Sequence, residues 1–386
     1  ARRAAPSRLR QFVAAARQIE LERSEGAAAL RLIRDTPPDD RLGLADRAEL
    51  QTIGVVDAIA AEARERLDRD KPLDALGLAV LATDIGGRLA PDVYPAVILA
   101  QARANAWRER ANALRFLGRY DEARSAVASA AAFLEGFGAV AHDRAVIALV
   151  EAMILRNLGQ TDEALAIVGR TRQVFADHGD SKRELYCGMI EAMALFTDGR
   201  YRESRLCNEQ LLAVAMASGD LESAARLHNN LALCAVELGE VSIANIHFSE
   251  AIARFNEIGM NVEAIRSQTS AGSLLLERGH VARGLAMLRD ARRRFSACGM
   301  VEEAGLAGLD VVGALIVSGK ADEARRLART ILNEFTVARL NRRGIEALAY
   351  LRDALDAEQT SPAAVDHVRR FIESLRIEPD REFVAM

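Results

Sequence analysis

The sequence predicts an all-α protein made of stacked antiparallel helix pairs, and three observations carry that prediction. Glycines recur at positions 118, 159, 199, 239, 279 and 319, a spacing of 40 residues with one interval of 41, and a second series at 138, 179, 219, 259 and 299 runs 20 residues out of phase. Interleaved ladders of this size mark repeated helical hairpins, each a helix A, a glycine turn, a helix B and a second glycine turn. Small residues also stand at fixed offsets: Ala111, Ala152, Ala192, Ala232, Gly272 and Val312 seven positions before the first-series glycines, and Ala123, Ala164, Ser204, Ala244, Gly284 and Ala324 five after. Two helices that cross closely need such positions. Finally, Ala, Leu, Arg and Glu dominate, aromatic residues are only 5%, and no run of alternating β-branched residues suggests a sheet.

Taken in order, residues 7–35 form a helix, with Gly26 as its candidate break, and TPPDD at 36–40 ends it. Helix resumes over 42–70 in two parts around Gly54, and Pro72 suits the first turn of the next helix. Residues 1–90 therefore read as an irregular N-terminal segment with a leading degenerate repeat. From Pro91 the register is strict, and residues 91–340 form the regular array. Its turns read LGRYDEA, LGQTDEA, DGRYRES, LGEVSIA and SGKADEA; the glycine suits the left-handed conformation that ends helix A, and the acidic or hydroxyl residue near the start of helix B is expected to cap free N–H groups. After Arg339 the second ladder stops. Residues 341–386 then supply one more A-type helix, a final helix from the Ser361–Pro362 start through Arg376, and a loose end over 378–386. Asp366, Arg369, Arg370 and Glu373 are expected on the outer face of that helix, as befits a solenoid cap.

Composition also narrows the function classes. A net charge of −4 and a pI near 6.0 lack the basic surplus of a dedicated nucleic-acid binder. The arginine-rich stretches ARRAAPSRLR, ARRRF and RLNRR have acidic neighbours and read as solvated faces, while carrying the alternative of an adaptor that contacts DNA or a transcription factor. Cys187, Cys207, Cys234 and Cys298 lack metal-site or redox spacing and are expected as small core residues in a reducing cytosol. No uninterrupted apolar run of about 18 residues occurs, so a soluble cytoplasmic chain without a membrane partner is expected. The chain starts without Met, leaving an upstream domain open. No nucleophile elbow, P-loop, zincin or dinucleotide string occurs, so no enzyme, metal or cofactor is expected. His228 and His247 flank Cys234, and packing histidines outweigh a metal or nucleophile site there.

The stretch ARLHNNLALCAVELGEVSIANIHFSEA at 225–251 resembles a tetratricopeptide repeat, and the resemblance covers about 91–340. It departs from the common pattern in its period, 40 residues against 34, and in lacking the usual proline after helix B. Longer helices of this kind are similar to the repeat domains of bacterial regulators such as Rap-type quorum-peptide receptors and the sensor regions of maltose-activator-like proteins. The tail resembles repeat proteins found beside helix-turn-helix or sigma-factor regulators.

The resemblance implies a right-handed solenoid whose A-helices line a concave face, exposing positions ten and six residues before each turn glycine. Those series read Arg108, Leu149, Met189, Asn229, Thr269, Leu309 and Asn112, Met153, Met193, Leu233, Ser273, Gly313. Polar ends flank a methionine-rich middle, and methionine suits adaptable apolar contact. Arg108 with Asn112 resembles half of a carboxylate clamp, although Val146 and Val150 stand where its other half is expected. The richer cluster is Arg226, Asn229 and Asn230, followed one repeat on by Arg266, Thr269 and Ser270; asparagine pairs with peptide N–H and C=O groups, and arginine holds a carboxylate in a fork. The expectation is a non-enzymatic scaffold that binds a protein or peptide through Arg108, Asn112, Met153, Met193, Arg226, Asn229, Asn230 and Arg266, as the sensing or docking part of a bacterial regulatory system. Homo-oligomerisation through solenoid ends stays open.

Overall fold

The computed structural model describes residues 5–68, 71–375, 378 and 380–385. The start of the ARRAAPSRLR stretch, Asp70 and Arg376 lie outside them. Among the described residues every regular element is helical, and the chain divides into two compact units, Ala1–Ala194 and Leu195–Met386.

The first unit holds α1 (Ala5–Asp35), two short 3-10 segments (Pro38–Asp46 and Ala48–Leu50), α2 (Ile53–Asp68), α3 (Pro72–Arg88), α4 (Ala96–Phe116), α5 (Tyr120–Phe133), α6 (Ala141–Asn157), α7 (Thr161–Asp177) and most of α8 (Ser181–Thr197). Each helix from α1 to α6 packs on the next, and α4 also meets α2 and α6, its neighbours two places away. Gly26 breaks nothing, because α1 runs through it without interruption. Nor does Gly54 divide a helix, since it sits in the first turn of α2. Both glycines instead let α1 and α2 touch: a Cβ on Gly54 would lie 2.3 Å from the backbone carbon of Glu22, and one on Gly26 would lie 3.0 Å from the Ala58 Cβ. The buried Glu22 carboxylate fixes the junction, accepting from the Tyr94 hydroxyl at 2.8 Å and the Gly54 amide at 3.3 Å. An anion at the start of α2 also complements its helix dipole.

The second unit holds the end of α8, α9 (Tyr201–Ser218), α10 (Leu221–Glu237), α11 (Val241–Glu257), α12 (Asn261–Glu277), α13 (Val281–Ala297), α14 (Val301–Val317), α15 (Ala321–Val337), α16 (Arg342–Asp356) and α17 (Pro362–Ser374). The 40-residue period has a simple origin here. From α10 to α15 each helix has 17 residues, and three residues such as 238–240 join it to the next. Gly239 takes φ +75°, its amide bonds the Val236 carbonyl at 3.0 Å, and the Glu240 amide reaches back to the Ala235 carbonyl at 2.8 Å. That closes the helix as a Schellman motif. The expected small residues all lie at buried helix crossings, and Phe248 fills the space beside Ala232 and Ala244.

Several expectations about the ends of elements are corrected. The residues at the starts of B-helices (Arg119, Gln160, Arg200, Glu240, His280, Lys320) make no side-chain cap bond. The acidic residues that follow lie inside the first turn, where they act as charges on the dipole and pair with a preceding arginine, as Glu122 does with Arg119 at 2.6 Å. Side-chain caps occur at A-helices instead, through Asp180, Asp220 and Asn341, and at the final helix through Ser361. In the second ladder Gly136, not Gly138, adopts positive φ, because α5 ends early at Phe133. Past Gly319 the ladder persists without glycine: Arg339 (φ +51°) and Glu358 (φ +59°) take the left-handed positions.

The polar residues of α17 do not all face outward either. Arg369 turns inward to Asp310 of α14 at 2.8 Å, and Arg370 pairs with Asp366 at the surface. Burial pushes the Asp310 carboxyl up to about 6, with Arg369 drawing it back. The tail is not loose: Phe383 packs on Phe371 at 4.9 Å between ring centres, and the Val384 carbonyl lies 2.8 Å from the His367 Nε2.

Candidate partner-binding surface

On α4 the polar side chains Gln101, Asn105 and Arg108 are spaced four and three residues apart, which places them on one stripe of the helix. That stripe borders a cleft of about 280 Å³ in the first unit, walled by Arg23 of α1, Ile53 and Asp57 of α2, Ile98 and Ala102 of α4, and Asp143 and Ile147 of α6. Its polar groups are held in place. Arg23 forks onto Asp57 at 2.7 and 3.1 Å, and Gln101 donates to Asp143 at 2.8 Å. Arg108 forks onto Glu109 at 2.5 and 3.0 Å, and that carboxylate is only 2% exposed. A guanidinium anchored through a buried partner has little rotamer freedom left to lose when a ligand arrives.

Of the first-unit residues expected on this face, Arg108 lines the cleft, whereas Asn112 and Met153 are buried, as is Leu149. The Asn112 amide donates to Glu109 at 3.3 Å, while its Oδ1 is buried without a partner. Met153 lies 3.6 Å from the Tyr186 hydroxyl, and Met193 is half-buried. The reason is geometric. A residue six positions before the turn glycine adjoins the small residue that contacts helix B, so the whole row lies toward the seam between neighbouring A-helices and none of its members is fully exposed. Asn105, Gln101, Arg23 and Asp57 were missed in the sequence. A polar stripe at i, i+4 and i+7 on the alanine-rich α4 was the available signal for the first two; Arg23 and Asp57 are brought in by tertiary packing alone.

In the second unit, Arg226 is exposed and pairs with Glu222 at 3.2 Å. The Asn229 Oδ1 accepts from the Ser267 hydroxyl of α12 at 2.8 Å, tying consecutive A-helices together, while Asn230 turns the other way, to Asn208 of α9 at 3.4 Å. Arg266 is exposed on α12, and the hydroxyls of Thr269 and Ser270 bond back to their own helix. Arg226 and Asn229 therefore share a face with Arg266, and Asn230 belongs to the seam beside it.

His228 and His247 meet across α10 and α11 with their Nδ1 atoms 2.9 Å apart. Burial, then the neighbouring His247, holds the His228 imidazole down at about 4, and burial lowers His247 too. One ring donates and the other accepts, so the contact needs the accepting histidine to be neutral. No group of three or more His, Cys, Asp or Glu side chains among the described residues could hold a metal. Cys187 and Cys234 are buried and their thiols are pushed up by burial, but Cys207 is half-buried and Cys298 is exposed, against the expectation of four core cysteines. In the ARRRF stretch Arg292 pairs with Glu334 at 2.9 Å, Arg293 with Asp290 at 2.7 Å, and Arg294 donates to Gln268 at 2.8 Å. Arg342 and Arg343 of RLNRR both pair with Glu346. No described helix is long and apolar enough to cross a membrane.

Comparison with solved structures bears on the fold. A Rap protein complexed with competence and sporulation factor matches 94% of this chain and 99% of its own with a TM-score of 0.55, at 14% identity. The fold is a tetratricopeptide-like α-solenoid. Aspartyl phosphate phosphatase F from Bacillus subtilis matches 95% of this chain and 97% of its own with a TM-score of 0.52, at 14% identity. A signal transduction ATPase with numerous domains and a tetratricopeptide repeat sensor, from Pyrococcus horikoshii, matches 86% of this chain and 53% of its own with a TM-score of 0.51, at 12% identity. No family model matches the chain, and no curated protein does. The tetratricopeptide-like architecture is thus similar in fold to a Rap protein and to a tetratricopeptide repeat sensor, at low identity.

Proposed function

We propose that this chain binds an extended segment of a protein or peptide on the A-helix faces within its units, as the sensing or docking part of a bacterial regulatory system. The observation that carries this reading is the α4 cleft, where Gln101, Asn105 and Arg108 present amide and guanidinium groups at helical spacing beside Ile53, Ile98 and Ile147. Amides match the donors and acceptors of an extended backbone, the guanidinium suits an acidic group, and the isoleucines accept an apolar side chain. Arg226, Asn229 and Arg266 offer the same chemistry on A-helices of the second unit. The fold supports the reading in one further respect: stacked repeats give a preformed surface, so little ordering cost falls on the protein when it binds.

Selection of displayed peptides against the full chain, followed by affinity measurement on the selected peptides, tests it. Asn105→Ala with Arg108→Ala, or Arg226→Ala with Asn229→Ala, is expected to weaken the peptides more than tenfold. Peptides that bind both double variants as well as they bind the parent would remove the A-helix face as the site.

A further inference from the structure

The last turns of α4 and α6 bring together an arginine cluster that the peptide reading does not use. Arg115 and Arg156 occupy equivalent places, each three residues before its turn glycine, on A-helices that pack side by side. Arg115 is half-buried, its guanidinium carbon lies 4.4 Å from the centre of the Phe116 ring, and its Nε is shielded from solvent with no hydrogen-bond partner. Arg156 bonds only the neutral side-chain oxygen of Asn157, at 2.7 and 3.2 Å. Among the described residues no carboxylate stands within ion-pair distance of either.

Arg64 of α2 and the phenols of Tyr120 and Tyr186 lie close enough to act electrostatically on Arg115, and the two tyrosines act on Arg156 as well. Loss of water draws the Arg115 guanidinium down to about 10, with Arg156 and Arg64 adding to the effect, and lowers Arg156. Glu109, the carboxylate that Arg64 meets at 3.6 Å, is also engaged by Arg108 and by Asn112. The negative ends of the α4 and α6 dipoles supply about half a charge each, too little to balance the cluster. Arginines are ordinarily desolvated against carboxylate or phosphate, because a guanidinium stripped of water costs stability until an anion meets its fork.

We propose that Arg115, Arg156 and Arg64, with the hydroxyls of Tyr120 and Tyr186, form a binding site for a doubly charged oxyanion of the phosphate class. Two forks and two phenols, that of Tyr186 exchanging its 3.6 Å bond to the Met153 sulfur for the oxyanion, offer more hydrogen bonds than one carboxylate can accept, and three guanidiniums suit two negative charges better than one. The oxyanion can be free phosphate or a phosphoryl group on a side chain; the chemistry recognised is the same.

The test uses the full chain and inorganic phosphate, titrated at constant ionic strength against chloride and followed by calorimetry and thermal melting. Saturable binding with a rise in Tm is expected, and Arg115→Gln or Arg156→Gln should weaken it at least tenfold. Arg293→Gln, far from the cluster in sequence and exposed, should leave it unchanged. In chloride alone Arg115→Gln should melt no lower than the parent, since it removes an unmatched charge; a purely structural arginine stacked on Phe116 would make that variant melt lower. If Arg115→Gln does not fold, Arg156→Gln and the parent still decide the matter. A phosphate response equal in parent and variants, as general salt exclusion would give, overturns the proposal. A phosphoserine peptide that competes with inorganic phosphate, where its serine counterpart does not, identifies a phosphorylated partner; competition by neither identifies the free ion. Because the probe is inorganic phosphate, failure of the peptide reading leaves this outcome unaffected.

Discussion

At the scale of single residues, the second unit depends on contacts that one atom would spoil and on a buried imidazole pair whose accepting nitrogen must stay unprotonated. The folded-state value of His228, about 4, lies below the ordinary 6.5, so the unfolded chain takes up the proton first. Stability from the pair is complete above pH 6.5 and is lost as pH falls toward 4; below that both states are protonated and the loss stops. Asp310 works in the opposite sense, since its raised value favours the folded state most below the ordinary carboxylate range and that benefit disappears as pH climbs through 6. The two overlap, so the parent alone would show a blunted profile. Comparison with His228→Gln separates them: between pH 6.5 and 4 the parent's Tm should fall more steeply than the variant's. Parallel profiles would mean that the imidazole contact has no linkage to folding.

At the scale of elements, the 17-residue helix and its three-residue turn explain both glycine ladders, and the turn tolerates exceptions where the ladder ends. Arg339 and Glu358 hold left-handed φ with side chains that disfavour it. A non-glycine residue in that region costs roughly 1 kcal/mol. Arg339→Gly should therefore raise stability to chemical denaturation by about 1 kcal/mol, provided the folded turn is kept, and a loss of stability would show that the Arg339 side chain does more for the turn than its backbone strain takes away. By contrast α17 is held by specific burial, with Val365, Val368, Phe371 and Ile372 against the last A-helices and Arg369 on Asp310. Its N-terminus is fixed by the Ser361 hydroxyl, which accepts from the Ala364 amide at 3.3 Å.

At the scale of the whole molecule, a repeat array is stable through contacts between neighbours, so damage in one pair spreads to the adjoining pairs before it reaches the ends. The α12–α13 crossing offers the sharpest probe. A Cβ on Gly284 would lie 2.8 Å from the Gly272 carbonyl oxygen and 2.8 Å from the Leu276 side chain, and one on Gly272 would lie 2.9 Å from Leu288. Both glycines are therefore needed for the helices to approach as they do. Gly284→Ala is expected to cost about 1–3 kcal/mol, and hydrogen exchange should show protection falling first in α11 to α14, ahead of α16 and α17. Uniform loss across the second unit would instead mean that it unfolds as one cooperative body.

The glycine ladders and the small residues seven before and five after them determined the helix pairs, because a repeated hairpin imposes the same steric demand at the same place each time. The sequence also held the α4 stripe of Gln101, Asn105 and Arg108, legible as a polar periodicity on an alanine-rich helix. What lay beyond it were facts of approach between separate helices. Gly26 and Gly54 read as breaks by their type and act as contact points, since only the crossing of α1 and α2 decides whether a missing Cβ loosens a helix or admits its neighbour. Asn112 and Met153 stand in a helical row expected on an open face and are buried, because that row adjoins the helix crossing and packing between helices decides exposure there. Arg115 and Arg156 are ordinary helix-end arginines in the sequence; only packing places them together, beyond ion-pair distance of any carboxylate among the described residues, since charge pairing is settled by distances between helices and not by order along the chain.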